Sequence, residues 1–226
     1  MDVKTFAKYF DHALLKAQAT QSEFEAYCQE GIKYEVKMLA VNPAAVQFCK
    51  RQVKGTPVLV GAAIGFPLGQ MTVESKLFET RDAIEKGSDE IDYVINISAL
   101  KSGQHGLVSE EMKCLVALCR EKNTPIKVIF ENCYLTEDEK KRLCEMANEI
   151  KPDYIKTSTG FGTSGATLAD VKLMRKYADA AIKIKASGGI KTYEDVKQLI
   201  AAGVERIGTS NTATIIQDYK KERGET

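Results

Sequence analysis

Eight short runs rich in β-branched and aromatic residues recur along the 226-residue chain, each followed by a stretch carrying helical start and stop signals. Seven are plain, at residues 34–41, 57–64, 90–97, 126–132, 153–158, 181–186 and 205–209, and a weaker one lies at 9–15. Between them, capping pairs in which a hydroxyl precedes an acid by three positions mark helix starts: Ser22 with Glu25, Thr136 with Glu139, Thr167 with Asp170 and Thr192 with Asp195. Asn42-Pro43 supplies a cap and a first-turn proline, and Gly31, Gly87 and Gly203 sit where helices should stop. The helix from Thr192 carries Val196, Leu199 and Ile200 on one face. Strands alternating with helices eight times in this length predict an α/β chain folded as a single (β/α)8 TIM barrel over residues 1–226, with a frayed polar tail from about 220.

With 44% hydrophobic and 28% charged residues the chain can bury one large core, and its formal charge of +1 provides no basic field for nucleic acid. No apolar stretch is long enough to span a membrane and the first residues do not form a signal peptide, which predicts a cytoplasmic protein. Six cysteines without a Cys-x-x-Cys pair, beside only His12 and His105, lack zinc-ligand spacing and read as buried thiols, so no metal is expected.

Two lysines end apolar runs just before glycine-rich turns: Lys156 in Tyr154-Ile-Lys-Thr-Ser-Thr-Gly160 and Lys185 in Ile184-Lys-Ala-Ser-Gly-Gly189. They lie 29 positions apart, about one strand-plus-helix unit, which puts them at the same end of neighbouring strands. A second ammonium nearby and burial both favour the free amine, the form that attacks a carbonyl. In a barrel the C-terminal ends of strands carry the chemistry, and the loops after strands seven and eight often hold phosphate; here those loops are Gly188-Gly189 and Gly208-Thr-Ser210. Asp92, inside an otherwise apolar strand, either relays protons or only steadies a lysine, and Asp11 on the first strand has a supporting place. Period-two alternation puts Lys183 on the face of Lys185, so it too is a candidate amine, one layer deeper and in need of a carboxylate such as Glu131. Gly160-Phe-Gly-Thr-Ser-Gly165 matches a dinucleotide fingerprint in letters but not in context. The following helix cap waits until Thr167, and the next strand ends in a lysine where the ribose carboxylate belongs.

The segments at 11–16, 65–69, 89–97, 99–103, 156–161, 185–189 and 206–210 together resemble the deoxyribose-phosphate aldolases in their short bacterial form, a class I, Schiff-base family, over almost the whole chain. The resemblance implies reversible cleavage of 2-deoxy-D-ribose 5-phosphate to D-glyceraldehyde 3-phosphate and acetaldehyde. It implies Lys156 as the Schiff-base lysine, Lys185 as its activating neighbour and Asp92 as the acid/base on the proton relay. It also implies no cofactor, with phosphate held by Gly160, Gly188, Gly189, Gly208 and Ser210, and a homodimer is consistent with the family. Ala13, Ala40 and Asn211 depart from the usual threonine, cysteine and serine, and the chain lacks a terminal tyrosine, which leaves proton exchange to water or Asp92. The competing readings are another Schiff-base barrel, transaldolase-like, and a sugar-phosphate-binding barrel without turnover.

Overall fold

In the computed structural model, which describes residues 1–225, all eight strands form, and each is shorter than the run that announces it. They are β1 (Phe10–Leu14), β2 (Met38–Val41), β3 (Leu59–Ile64), β4 (Glu90–Val94), β5 (Ile126–Ile129), β6 (Tyr154–Lys156), β7 (Lys183–Ser187) and β8 (Arg206–Thr209). Each pairs in parallel with the next, and β8 pairs with β1, closing the (β/α)8 barrel. The helices are α1 (Val3–Ala7), α2 (Gln21–Lys33), α3 (Pro43–Gln52), α4 (Val73–Glu85), α5 (Ile97–Lys101), α6 (His105–Glu121), α7 (Glu137–Ile150), α8 (Leu168–Tyr177), α9 (Tyr193–Ala201) and α10 (Thr212–Glu222).

Strand alternation sends one set of residues to the barrel axis and the other to the helices. Leu39, Val60, Ile91, Val128, Ile155, Ile184 and Ile207 point outward and pack in the apolar shell with buried helix residues such as Val108, Met112 and Leu115 of α6 and Val196 and Leu199 of α9. That shell, not the axis, is the hydrophobic core.

Several boundaries differ from the sequence expectation. Helix α2 is capped by Thr20, not Ser22: the Thr20 hydroxyl accepts from Glu23 N while the Glu23 carboxylate accepts from Thr20 N. Gly31 does not end α2, which runs on to Lys33; a Cβ at Gly31 would stand 2.5 Å from Leu39 Cδ2, so the glycine admits the strand rather than stopping the helix. Residues 34–37 are the helix cap and a turn at Glu35 (φ 50°), leaving β2 to start at Met38. Likewise β4 stops at Val94 because Asn96 caps α5, and β5 stops before Glu131, whose φ of 58° takes the backbone out of the ladder. The pairs at Thr136 and Thr192 form full capping boxes, while Thr167 caps α8 through Asp170 N without the reciprocal bond. Helix α10 includes Lys220, Lys221 and Glu222, which the sequence assigned to a frayed tail; Thr226, the last residue of that tail, lies outside the described residues.

Candidate active site

The inward residues stack in tiers, as barrel interiors do, but where branched apolar side chains would ordinarily fill them this barrel carries charge. Beneath a rim of Ala13, Ala63, Ile129 and Ser187, β2, β4, β6 and β8 contribute Ala40, Asp92, Lys156 and Gly208. Below them β1, β3, β5 and β7 contribute Asp11, Gly61, Lys127 and Lys185, and the lowest tier holds Met38, Glu90, Tyr154 and Arg206.

Asp92 joins the tiers. Its Oδ2 accepts from Lys156 Nζ at 2.8 Å and from Lys185 Nζ at 2.7 Å, and its Oδ1 accepts from Lys127 Nζ at 2.7 Å. Lys185 Nζ also donates to Asp11 Oδ2 at 2.5 Å, Arg206 binds Asp11 Oδ1 at 2.6 Å, and Lys127 reaches Glu90 Oε2 at 2.5 Å. Burial opposes the charge on Asp92, yet the Lys127, Lys156 and Lys185 ammonium groups outweigh it and hold the carboxyl well below the usual range. Asp11 is held at about 2 in the same way, burial being overcome by Arg206, Lys185 and Lys127. For Lys156 the balance runs the other way: burial first, then the positive charges of Lys185 and Lys127, outweigh the single carboxylate beside it and bring the amine down to about 8. A free amine is therefore accessible near neutral pH at the one lysine that ends a strand.

Lys156 and Lys185 open into a cavity of about 540 Å³ on the C-terminal face, lined also by Ala13, Ala40, Gly160, Gly188, Gly189, Gly208 and Ser210. Gly160, Gly188 and Gly189 have φ values of 88°, 83° and 74°, and the first two pack backbone on backbone, with Ala166 N donating to Ser187 O and Gly188 O. Gly208 also has a packing part. A Cβ there would come within 2.8 Å of Ser187 Cβ and 3.2 Å of Lys185 Cε, so this position gives the Lys185 stem its room. Glu131, at the end of β5, accepts from Thr159 N at 3.1 Å and from the Thr159 hydroxyl, fastening the turn after Lys156.

A family model described as DeoC/LacD family aldolase matches residues 5–214. The chain belongs to that family. Among its relatives, the deoxyribose-phosphate aldolase of Lactobacillus acidophilus is 51% identical over 95% of this chain and 91% of its own length. That of Bacteroides thetaiotaomicron is 47% identical over 98% and 93%. The solved deoxyribose phosphate aldolase from Aeropyrum pernix, described as a unique tetrameric structure, superposes with a TM-score of 0.91 at 27% identity, covering 98% of this chain and 93% of that one.

In this DeoC/LacD family barrel two sequence expectations need correction. Lys183 is not a deeper buried amine: register pairs it with Tyr154 at the N-terminal rim, where it is exposed and stands over the Tyr154 ring at 5.5 Å. Its suggested partner Glu131 is at the opposite end of the barrel, engaged by Thr159. The deeper cation is Lys127, and it, Glu90, Arg206 and Tyr154 were not singled out from the sequence. Period-two spacing from Asp92, Lys156 and Gly208 marks Glu90, Tyr154 and Arg206, and Lys127 is a lone charge in the apolar strand Ile126–Ile129. His12 faces the helices, between the Thr212 hydroxyl (3.0 Å from Nδ1) and Glu30 (3.2 Å from Nε2), stacked on Tyr27. Four cysteines are buried as expected, but Cys114 and Cys133 are half-exposed. Among the described residues no helix is long and apolar enough to cross a membrane.

Proposed function

We propose that this chain is a deoxyribose-phosphate aldolase that cleaves 2-deoxy-D-ribose 5-phosphate reversibly to D-glyceraldehyde 3-phosphate and acetaldehyde through a Schiff base on Lys156. The observation that carries it is a buried lysine, lowered to about 8, at the floor of the cavity in a chain 51% identical to a named deoxyribose-phosphate aldolase.

The neutral Lys156 amine adds to the C1 aldehyde of the open-chain sugar, and loss of water gives an iminium. Removal of the C3 hydroxyl proton lets the C2–C3 bond break; its electron pair moves to C2, forming an enamine, while C3 leaves as the aldehyde of glyceraldehyde 3-phosphate. Protonation of C2 and addition of water then release acetaldehyde and the amine. The iminium is the electron sink, so no metal or organic cofactor enters the reading. Asp92 accepts from both amines and so orients them, and proton exchange is assigned to Asp92, Lys185 and water at the cavity.

The phosphate is assigned to Gly160, Gly188, Gly189 and Ser210. The first turn of α9 is filled by its own Asp195 cap, whereas α10 has no side-chain cap and its N-terminal N–H groups lie beside Ser210, which suits a dianion. With six unpaired cysteines among the described residues, the reading places the enzyme in the reducing cytoplasm.

The test is a coupled assay for glyceraldehyde 3-phosphate released from 2-deoxyribose 5-phosphate. Turnover that persists in the presence of a chelator and disappears in Lys156→Met supports the reading; a Lys156→Met variant with wild-type turnover contradicts it.

A further inference from the structure

The charges inside this barrel can be counted. Facing the axis, β1 brings Asp11, β4 Glu90 and Asp92, β5 Lys127, β6 Lys156, β7 Lys185 and β8 Arg206. β6 adds the Tyr154 phenol, and β2 and β3 bring no charged side chain. Titratable groups around the axis are Lys183 at the lower rim, His12 and Tyr27 against the helices, Glu131 beneath the turn after β6, and Lys16, Glu23, Glu30 and Lys191 in the cavity lining. Three carboxylates thus face four basic groups, and none of the seven is more than 4% exposed.

Their pairing is unequal. Lys185 binds Asp11 and Asp92, Lys127 binds Glu90 and Asp92, and Arg206 binds Asp11 and Glu90. Lys156 has one carboxylate oxygen, Asp92 Oδ2, and shares it with Lys185. An uncompensated buried charge is costly, and the cluster sheds it by losing one proton from the group held least.

We propose that Glu90 and Lys127, which do not line the cavity, set the proton count of the site: four basic groups against three carboxylates leave the interior neutral only when one proton has left, and Lys156 is where it leaves. The proposal rests on Lys156 being the Schiff-base amine. Glu90 and Lys127 are positioning residues, acting on the amine through charge. Burial pushes Lys127 down, but Asp92, Glu90 and Asp11 hold it above the usual lysine value, so Lys127 keeps its proton while Lys156 gives one up.

The count makes opposite predictions for the two residues. Lys127→Met leaves three basic groups against three carboxylates, so the Lys156 ammonium is compensated and its midpoint rises by about 1 pH unit. Glu90→Gln leaves four against two and lowers it by about 1 unit. The double variant has three against two, the wild-type excess, and its midpoint returns to the wild-type value. A purely structural role would lower the rates without moving the midpoints in opposite senses.

The experiment is the pH dependence of Lys156 ethylation by acetaldehyde with cyanoborohydride, located by peptide mass spectrometry in the full-length wild type, both single variants and the double. Opposite shifts that cancel in the double are the expected result. Unshifted midpoints, or shifts in one direction for both singles, overturn the proposal. If wild-type Lys156 is not labelled, the Schiff-base reading fails instead. Should Lys127→Met not fold, Glu90→Gln, which keeps the size of the side chain and one of its acceptors, decides alone: a midpoint below wild type supports the count, and one at or above wild type overturns it.

Discussion

His12 and Asp11 are neighbours on β1 that face opposite ways, and the pH dependence of stability should distinguish them. Burial brings the His12 imidazole down to about 4 from its ordinary 6.5, despite the Glu30 carboxylate nearby. The unfolded chain therefore binds this proton more readily, and the stability tied to neutral His12 is complete above pH 6.5 and falls as the pH drops toward 4. Its upper bound is roughly 3 kcal/mol, from about 1.36 kcal/mol per pKa unit. Urea unfolding of His12→Gln is expected to show a flatter stability profile than wild type across that window. Asp11, held at about 2 against an ordinary 3.8, contributes stability that is present above 3.8 and lost only as the pH falls toward 2. Removing Lys185 works on the amine itself. Lys185→Leu takes away the like charge that shares Asp92 Oδ2 with Lys156, so residual cleavage should have its acidic limb at higher pH, by about 1 unit; an unchanged pH profile at wild-type rate would count against the coupling of the two lysines.

At the scale of elements, the C-terminal ends of β3 and β4 are held by a buried ion pair that takes no part in the chemistry. Lys76 of α4 binds Glu111 of α6 at 2.5 Å and donates to Val94 O at 2.8 Å, while Glu111 accepts from Asn96 N and Glu79 from Gly65 N. Lys76→Met leaves the Glu111 carboxylate buried and unpaired, and should cost roughly 3–5 kcal/mol in chemical denaturation. Lys76→Met with Glu111→Leu should recover much of that loss, because no lone charge remains. The starts of α3, α7, α8 and α9 were legible from their caps, and the strands from their apolar runs. The strand ends were not, because hydrophobicity continues past them: Ile95 and Ile97 follow β4 and still pack in the helix shell. Backbone conformation ends the strands, through Glu35 and Glu131 with positive φ and through the Asn96 cap, and composition does not report it.

At the scale of the whole molecule, closure turns period-two alternation into a site. Lys156, Lys185 and Asp92, which the structure brings together, stood out in the sequence because the two lysines end apolar runs before glycine turns and Asp92 lies inside one. Lys127, Glu90 and Arg206, in the two tiers beneath, could not, since a lone lysine or arginine in a strand looks like a snorkelling side chain until β8 closes on β1 and brings Arg206 to Asp11 and Glu90. The packing part of Gly208 was hidden for a related reason: only the packed neighbour strand shows that it makes room for Lys185. The outside of the barrel carries one further expectation. Leu68, ahead of α4, and Phe78, on α4, are large apolar side chains left 67% and 71% exposed, the kind a second copy of the chain would cover. If a homodimer forms through this face, Phe78→Glu lowers the mass in light scattering; a mass unchanged by the substitution places any interface elsewhere.

The account turns on the identity of the nucleophile. It is tested most directly by borohydride reduction of the protein with acetaldehyde near pH 8, followed by peptide mapping. The predicted result is one ethyl group on Lys156, inactivation in step with its incorporation, and no such adduct in Lys156→Met. Incorporation on Lys185 or Lys127 with Lys156 unmodified would contradict the account.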